Sequence, residues 1–219
     1  MNQLRSSTSV PKATVEAVLE RACPGLRGAS RRAVLRHALA CFNKTGIEAA
    51  TIEDLRRTSG QSVGSIYHHF RNKEGVAAAL FFAGLDDQSR AIAARTATAP
   101  DVHAMVAELV GAYVDWVTAL PDLAAFLFLA RETVAQGPRA IELKERLELR
   151  YSPIDARLAE GVRAGRILGL PTEVIPALVL GGAESYCRAW LAGRRKTKPA
   201  AYAALLADAA WRGIAAPTG

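Results

Sequence analysis

Apolar residues recur along this chain at the three- and four-residue spacing of helices, and no β-branched run offers a sheet. Val15, Val18 and Leu19 make the first stripe, in a helix predicted from Pro11 to about Ala22 and broken by Pro24-Gly25-Leu26-Arg27-Gly28. Val34, Leu35, Ala38, Leu39 and Phe42 make the second, with Ser30 as its cap and Gly46 as its stop. Thr51 and Asp54 form a capping-box pattern ahead of Ile52 and Leu55. Gly60 stops that short helix. Ser62 caps another, in which Val63, Ile66 and Phe70 share the apolar side. Asn72 then opens a longer helix carrying Val76, Leu80, Phe81 and Leu85.

The pattern continues to the end of the chain. Val102 to Leu120 groups Met105, Leu109, Ala112, Tyr113 and Trp116 on one side. Leu123 to Ala135 is apolar almost all round, which predicts a helix buried on every face or set against a cavity. Gly137-Pro138 opens a charged helix through Arg150, and Pro153 kinks or restarts it. Pro171-Thr172-Glu173 opens a helix through Leu191, and a last one runs from Pro199 to Ile214. Gly181-Gly182-Ala183 is a small-residue patch in mid-helix. Each glycine costs roughly 1 kcal/mol there, which the close approach of another helix would offset. The expected fold is all-α.

Charge sharpens this picture. The net charge of +7 is unevenly placed: residues 1–75 hold 12 Lys+Arg against 6 Asp+Glu, and the remainder 16 against 15. Arg31, Arg32 and Arg36 precede the two short helices, Arg56 and Arg57 close the first of them, and Arg71 and Lys73 follow the second. Phosphate neutralisation by such side chains dominates nucleic-acid affinity. Helix, glycine turn and helix in 51–70 read as a helix-turn-helix. In that motif the second helix enters the major groove, with Gln61, Ser62, Val63, Gly64 and Ser65 placed for base edges.

Other chemistries find less support. Gly60-Gln61-Ser62-Val63-Gly64 matches the G-x-S-x-G of serine hydrolases, but that elbow needs a strand before the serine. It stands as the enzyme alternative, beside a helical interaction module without DNA affinity. His68 and His69 are adjacent and point to different faces, and no catalytic site, metal site or cofactor is expected. Cys23, Cys41 and Cys187 fit neither a disulfide framework nor zinc spacing, which suits a reducing cytoplasm. No apolar run reaches the roughly 20 residues of a membrane span, so no membrane partner is expected.

Residues from about Arg32 to Leu80 resemble the DNA-binding domain of the TetR family of bacterial transcriptional regulators. Val34-Leu35, Ala38, Phe42, Gly46, Thr51, Leu55, Gly60, Ser62, Gly64, Ile66, Tyr67, Phe70, Lys73 and Glu74 carry the likeness, above all the run from Ser62 to Phe70. Arg56 and Ser59 stand where the family usually has alanines, and His37 likewise. Gln61 replaces a usual valine, leaving it to face either core or DNA.

The resemblance implies an extension over 1–29, a three-helix DNA-binding domain over 30–80, and an effector-binding and dimerisation domain over 81–219. It implies phosphate contacts from Thr51, Tyr67, His68 and Lys73, a double-stranded operator as partner, a homodimer, and a small-molecule effector. Met105, Tyr113, Trp116, Phe126, Phe128, Arg131 and Glu184 are the pocket candidates, with core packing as the alternative for the apolar ones. Gly181, Gly182, Ser185, Trp190, Leu205 and Trp211 are candidates for the dimer interface.

Overall fold

The computed structural model describes residues 14–171 and 173–217. They form α1 (Val15–Ala22), α2 (Ala29–Thr45), α3 (Ile52–Ser59), α4 (Val63–Phe70), α5 (Lys73–Thr96), α6 (Val102–Ala119), α7 (Pro121–Ala135), α8 (Ala140–Arg163), α9 (Ile175–Leu191) and α10 (Ala203–Ile214). Among the described residues there is no β-strand, only an isolated bridge between Ile167 and Ala215.

The local signals act as the sequence indicates. Thr51 accepts from the Asp54 N–H, and the Asp54 carboxylate accepts from the Thr51 N–H, each at 3.1 Å. Gly60 takes the left-handed conformation (φ 69°, ψ 8°) that ends α3. The hydroxyl of Ser62 accepts from Ser65 N–H at 3.1 Å, and the carboxamide of Asn72 accepts from Gly75 N–H at 2.7 Å. Gly75 is sterically required, because a Cβ there would lie 1.9 Å from the Phe70 carbonyl oxygen.

Several expectations are corrected. Thr14 caps α1, which begins at Val15; Pro11 falls outside the described residues. Ser30 caps nothing: α2 starts one residue earlier, and its hydroxyl faces Gln61 and Ser65. Of its two expected settings helix α7 takes the second: Leu129 and Arg131 are exposed, and Ala124, Leu127 and Phe128 line a cavity. Helix α8 runs through Pro153 as one element, and α9 starts at Ile175 rather than at Pro171. A 3-10 turn over Pro199–Tyr202 precedes α10.

Helix α5 is the centre of the molecule. Its buried residues include Val76, Leu80, Phe81, Phe82, Leu85 and Ile92, and it packs against α6, α7, α1 and α2. Gly84 lets α7 approach: a Cβ there would lie 2.5 Å from Leu127 Cδ1. The helix-turn-helix joins the rest through α2 and α7. Phe42 stacks on Phe126 at 5.8 Å, and Asn43 donates to the Asp122 carbonyl at 2.8 Å. Both rings are fully buried, a loss of about 3–5 kcal/mol if either were truncated. Helix α1 is tied by ion pairs at three places, Glu16 to Arg36, Glu20 to Arg32 and Arg21 to Asp87. It is thus a packed accessory helix rather than a free arm.

Candidate nucleic-acid interface and effector cavity

Helix α4 is fixed from behind and open in front. Ile66 and Phe70 are buried against α2 and α5, while Val63 and Tyr67 are 37% and 50% exposed. Val63 therefore leaves the apolar side that its spacing suggested. Ser62, Gly64 and His68 are also exposed, and a Cβ at Gly64 would meet only Ser62 Oγ at 4.0 Å. Together Val63, Gly64, Tyr67 and His68 form an outward surface on a helix whose N-terminus is capped.

Four residues of the expected interface have protein partners that limit them. Gln61 is half-buried, and its amide oxygen accepts from Ser30 Oγ at 2.6 Å. Ser65 Oγ lies 3.1 Å from the same hydroxyl. Two of the departures from the usual family residues are thereby explained: Gln61 joins Ser30 and Ser65 in a polar bridge between α2 and α4, and Ser59 Oγ meets Gln61 N–H at 3.4 Å. Lys73 donates to the carbonyls of Glu48 and Ala50, closing the loop between α2 and α3. The Thr51 hydroxyl donates to Asp54 Oδ2 at 2.7 Å, and that hydrogen bond is the main cause of the lowered Asp54 pKa.

The basic flank is likewise partly neutralised. Arg56 pairs with Glu53 and Arg57 with Asp54 along α3, while Arg32 and Arg36 pair with α1. Arg71 is exposed at φ 66°, directly after α4, and makes no ion pair among the described residues. Sequence reasoning counts cations; it does not see which carboxylates the fold sets beside them.

The serine-hydrolase alternative ends on this geometry. The residues before Ser62 are α3 and its turn, not a strand, and Ser62 Oγ is a helix cap.

A small, partly open cavity with about 50 Å³ of free volume lies between α5, α6, α7, α8 and α9. Of the expected pocket residues, Tyr113, Trp116, Phe128, Arg131 and Glu184 line it. Phe126 does not, being stacked on Phe42. Met105 lies instead on a groove between α5 and α8. Reasoning from the sequence missed Gln88, Arg150 and Tyr151 in the wall. Their signal was weak, because a charged helix gives no hint of which charge turns inward. Trp116 donates to Asp87 Oδ2 at 3.0 Å, and Asp87 also binds Arg21 and Arg90. Burial raises the Tyr113 hydroxyl pKa, and lifts that of the Cys187 thiol to about 12.

On α9 and α10, Gly182, Ser185 and Leu205 are exposed, and beyond the local helix backbone no described atom lies within 4 Å of a Cβ built on Gly181 or Gly182. Among the described residues no other helix covers these two glycines. Trp190 and Trp211 pack partly on the core, and Trp211 stacks on His103 at 4.7 Å.

Residues 34–80 match the family model described as bacterial regulatory proteins, tetR family. The chain is 41% identical over 66 residues to the HTH-type transcriptional repressor Rv1474c of Mycobacterium tuberculosis, a match over 30% of this chain and 33% of that protein. The match thus spans about a third of that relative. Among solved structures, a TetR family transcription regulator from Marinobacter aquaeolei superposes with TM-score 0.73 at 17% identity, over 86% of this chain and 96% of that one. The regulator FadR of Bacillus subtilis, in complex with stearoyl-CoA, gives 0.69 at 17% identity over 84% and 99%. These structural likenesses concern the fold, while the local identity and the matching family model concern the helix-turn-helix. With the capped, outward-facing α4, they identify residues 34–80 as a helix-turn-helix of the tetR type, in a chain whose helical fold is similar to that of TetR family structures.

Proposed function

We propose that the protein is a homodimeric, ligand-responsive transcriptional repressor that binds a palindromic operator in the cytoplasm. The observation that carries this reading is the α4 surface, where Val63, Gly64, Tyr67 and His68 face outward from a helix anchored by Ile66 and Phe70. Val63 suits a thymine methyl group, Gly64 permits close backbone approach, and Tyr67 and His68 suit phosphate oxygens. The name of the Mycobacterium relative supports repression.

The exposed faces of α9 and α10 support the dimer. Val174, Leu178 and Leu205 are exposed apolar residues beside the uncovered glycines, and two copies of these helices make a four-helix bundle. A two-fold dimer sets its α4 helices for half-sites roughly 34–36 Å apart. The effector enters the cavity walled by Tyr113 and Trp116. It favours a state in which α7 and α5 shift, and the Phe42–Phe126 stack carries that shift to α2. Such coupling is typically worth 1–3 kcal/mol. The FadR complex with stearoyl-CoA supports a small-molecule effector in this fold.

The test is fluorescence anisotropy of the full chain on labelled duplexes tiling its own upstream region, at several salt concentrations, with Tyr67→Ala beside it. One tile bound tightly, weakened by salt and by roughly tenfold in the variant, is expected from the loss of a phosphate contact. Equal binding of wild type and variant to every tile and to selected random sequences would sink the reading.

A further inference from the structure

Among the described residues, two buried side-chain nitrogens have no hydrogen-bond partner, Nε of Arg31 and Nε of Arg150. Arg31 is placed over the Phe70 ring at 5.7 Å, in a groove between the helix-turn-helix and α7. Arg150 is the more telling of the two. It stands in the wall of the small cavity and also borders the groove between α5 and α8. It makes no ion pair among the described residues, and its nearest ring partner is Tyr151, at 5.1 Å. Burial lowers its pKa, with Arg131 acting in the same direction and Tyr151, Tyr113 and Glu184 against it.

Arg150 as a whole is half-buried, but its Nε is shut off from water, and a polar atom so placed is unfavourable unless an acceptor meets it. Glu184, the carboxylate in the same cavity wall, makes no ion pair with it. The charged groups of the wall are Arg131, Arg150 and Glu184, a net of one positive charge. The rest is largely apolar: Phe81, Leu85, Val117, Phe128 and Leu143. Leu127, Phe128, Leu147 and Tyr151 are only half-buried, so that side of the wall can open to enlarge the cavity.

We propose that the cavity binds an organic monocarboxylate, its carboxylate on the Arg150 guanidinium and its apolar body against Phe81, Leu85 and Phe128. The planar fork of arginine matches a carboxylate in two parallel hydrogen bonds, and one negative charge balances the wall. The Tyr113 and Tyr151 hydroxyls are further donors at the same wall. This inference rests on the effector reading above and names the chemical class of ligand.

The experiment uses octanoate and benzoate as probes, with octanamide and benzamide as neutral counterparts. Titration calorimetry and thermal shift are run on wild type, Arg150→Met, Arg150→Gln and Arg150→Lys, with duplex anisotropy in parallel. At least one carboxylate is expected to bind about tenfold or more tightly than its amide, as a charge-assisted contact predicts. Methionine or glutamine at 150 removes that preference, and lysine keeps part of it. Arg150→Met also melts at a higher temperature, since the unmatched buried charge is gone.

Equal affinity for carboxylate and amide, a preference that survives Arg150→Met, or no binding of either carboxylate would overturn the proposal. Binding through Arg150 that leaves the anisotropy unchanged would uphold the carboxylate site and refute the effector role. Release of DNA by an amide alone, with equal affinity in wild type and Arg150→Met, would uphold the effector role and refute the carboxylate.

Discussion

Arginines at the two ends of this molecule sit in opposite circumstances. Around the helix-turn-helix three are exposed and have carboxylates at hand: Arg56 with Glu53, Arg57 with Asp54, Arg36 with Glu16. Around the cavity, Arg150 has a buried Nε with no partner. An exposed pair contributes little to stability and exchanges readily for a phosphate. A buried nitrogen has little water to fall back on, and the proposed carboxylate supplies its missing partner. In the proposed function the first set serves a polyanion bound many contacts at a time, and the second serves one anionic group.

Asp87 spans the two regions, and removing it should have the largest effect. It accepts from Trp116 in the cavity wall, from Arg21 of α1 and from Arg90. Asp87→Ala strands the indole N–H and loosens α1, and should lower unfolding stability by about 3 kcal/mol. Urea titration checks this. A variant that unfolds at the wild-type midpoint would mean the two ends are not joined through this carboxylate.

Glu53→Gln sharpens the other side of the comparison. It frees Arg56 for phosphate, so duplex binding should strengthen at low salt. The slope of log K against log salt should steepen by up to roughly 0.9, the release of one counterion. Anisotropy at four salt concentrations measures it, and an unchanged slope would show that Arg56 lies off the DNA path.

The smallest effect concerns His69, in the groove beside Arg31. Its pKa lies below 6.5, first through burial and then through His68 and Arg31. The folded state therefore binds its proton less readily than the unfolded chain. Stability from this group is present above pH 6.5 and is lost as pH falls through the lowered folded value. His69→Gln should flatten the melting temperature slightly between pH 7 and pH 5. A variant as acid-sensitive as wild type would place the effect elsewhere.

Much of the fold was legible along the chain because its signals are local. The Thr51–Asp54 box, the Gly60 stop and the Ser62 and Asn72 caps each involve residues within three places of one another. Helical spacing likewise found the buried stripe of α2 and the inward pair Ile66 and Phe70. Misreadings arose where a residue answers to a distant partner. Ser30 has the chemistry of a cap, yet its hydroxyl meets Gln61, which lies 31 positions on. Lys73 has the chemistry of a phosphate contact, and nothing along the chain signals that it also holds carbonyls 23 and 25 positions earlier. Phe126 and Phe128 look alike in the sequence. They part because two steps along a helix turn about 200°.

The sequence by itself determined the all-helical class, the helix-turn-helix and its family, because capping and periodicity are written within a few residues of each other. Only the tertiary structure decided which aromatic rings wall the cavity, and which arginines are matched and which are not. Those depend on how α5, α6, α7, α8 and α9 are brought together. A charge is costly or harmless according to the groups and water around it, and no stretch of chain specifies those alone.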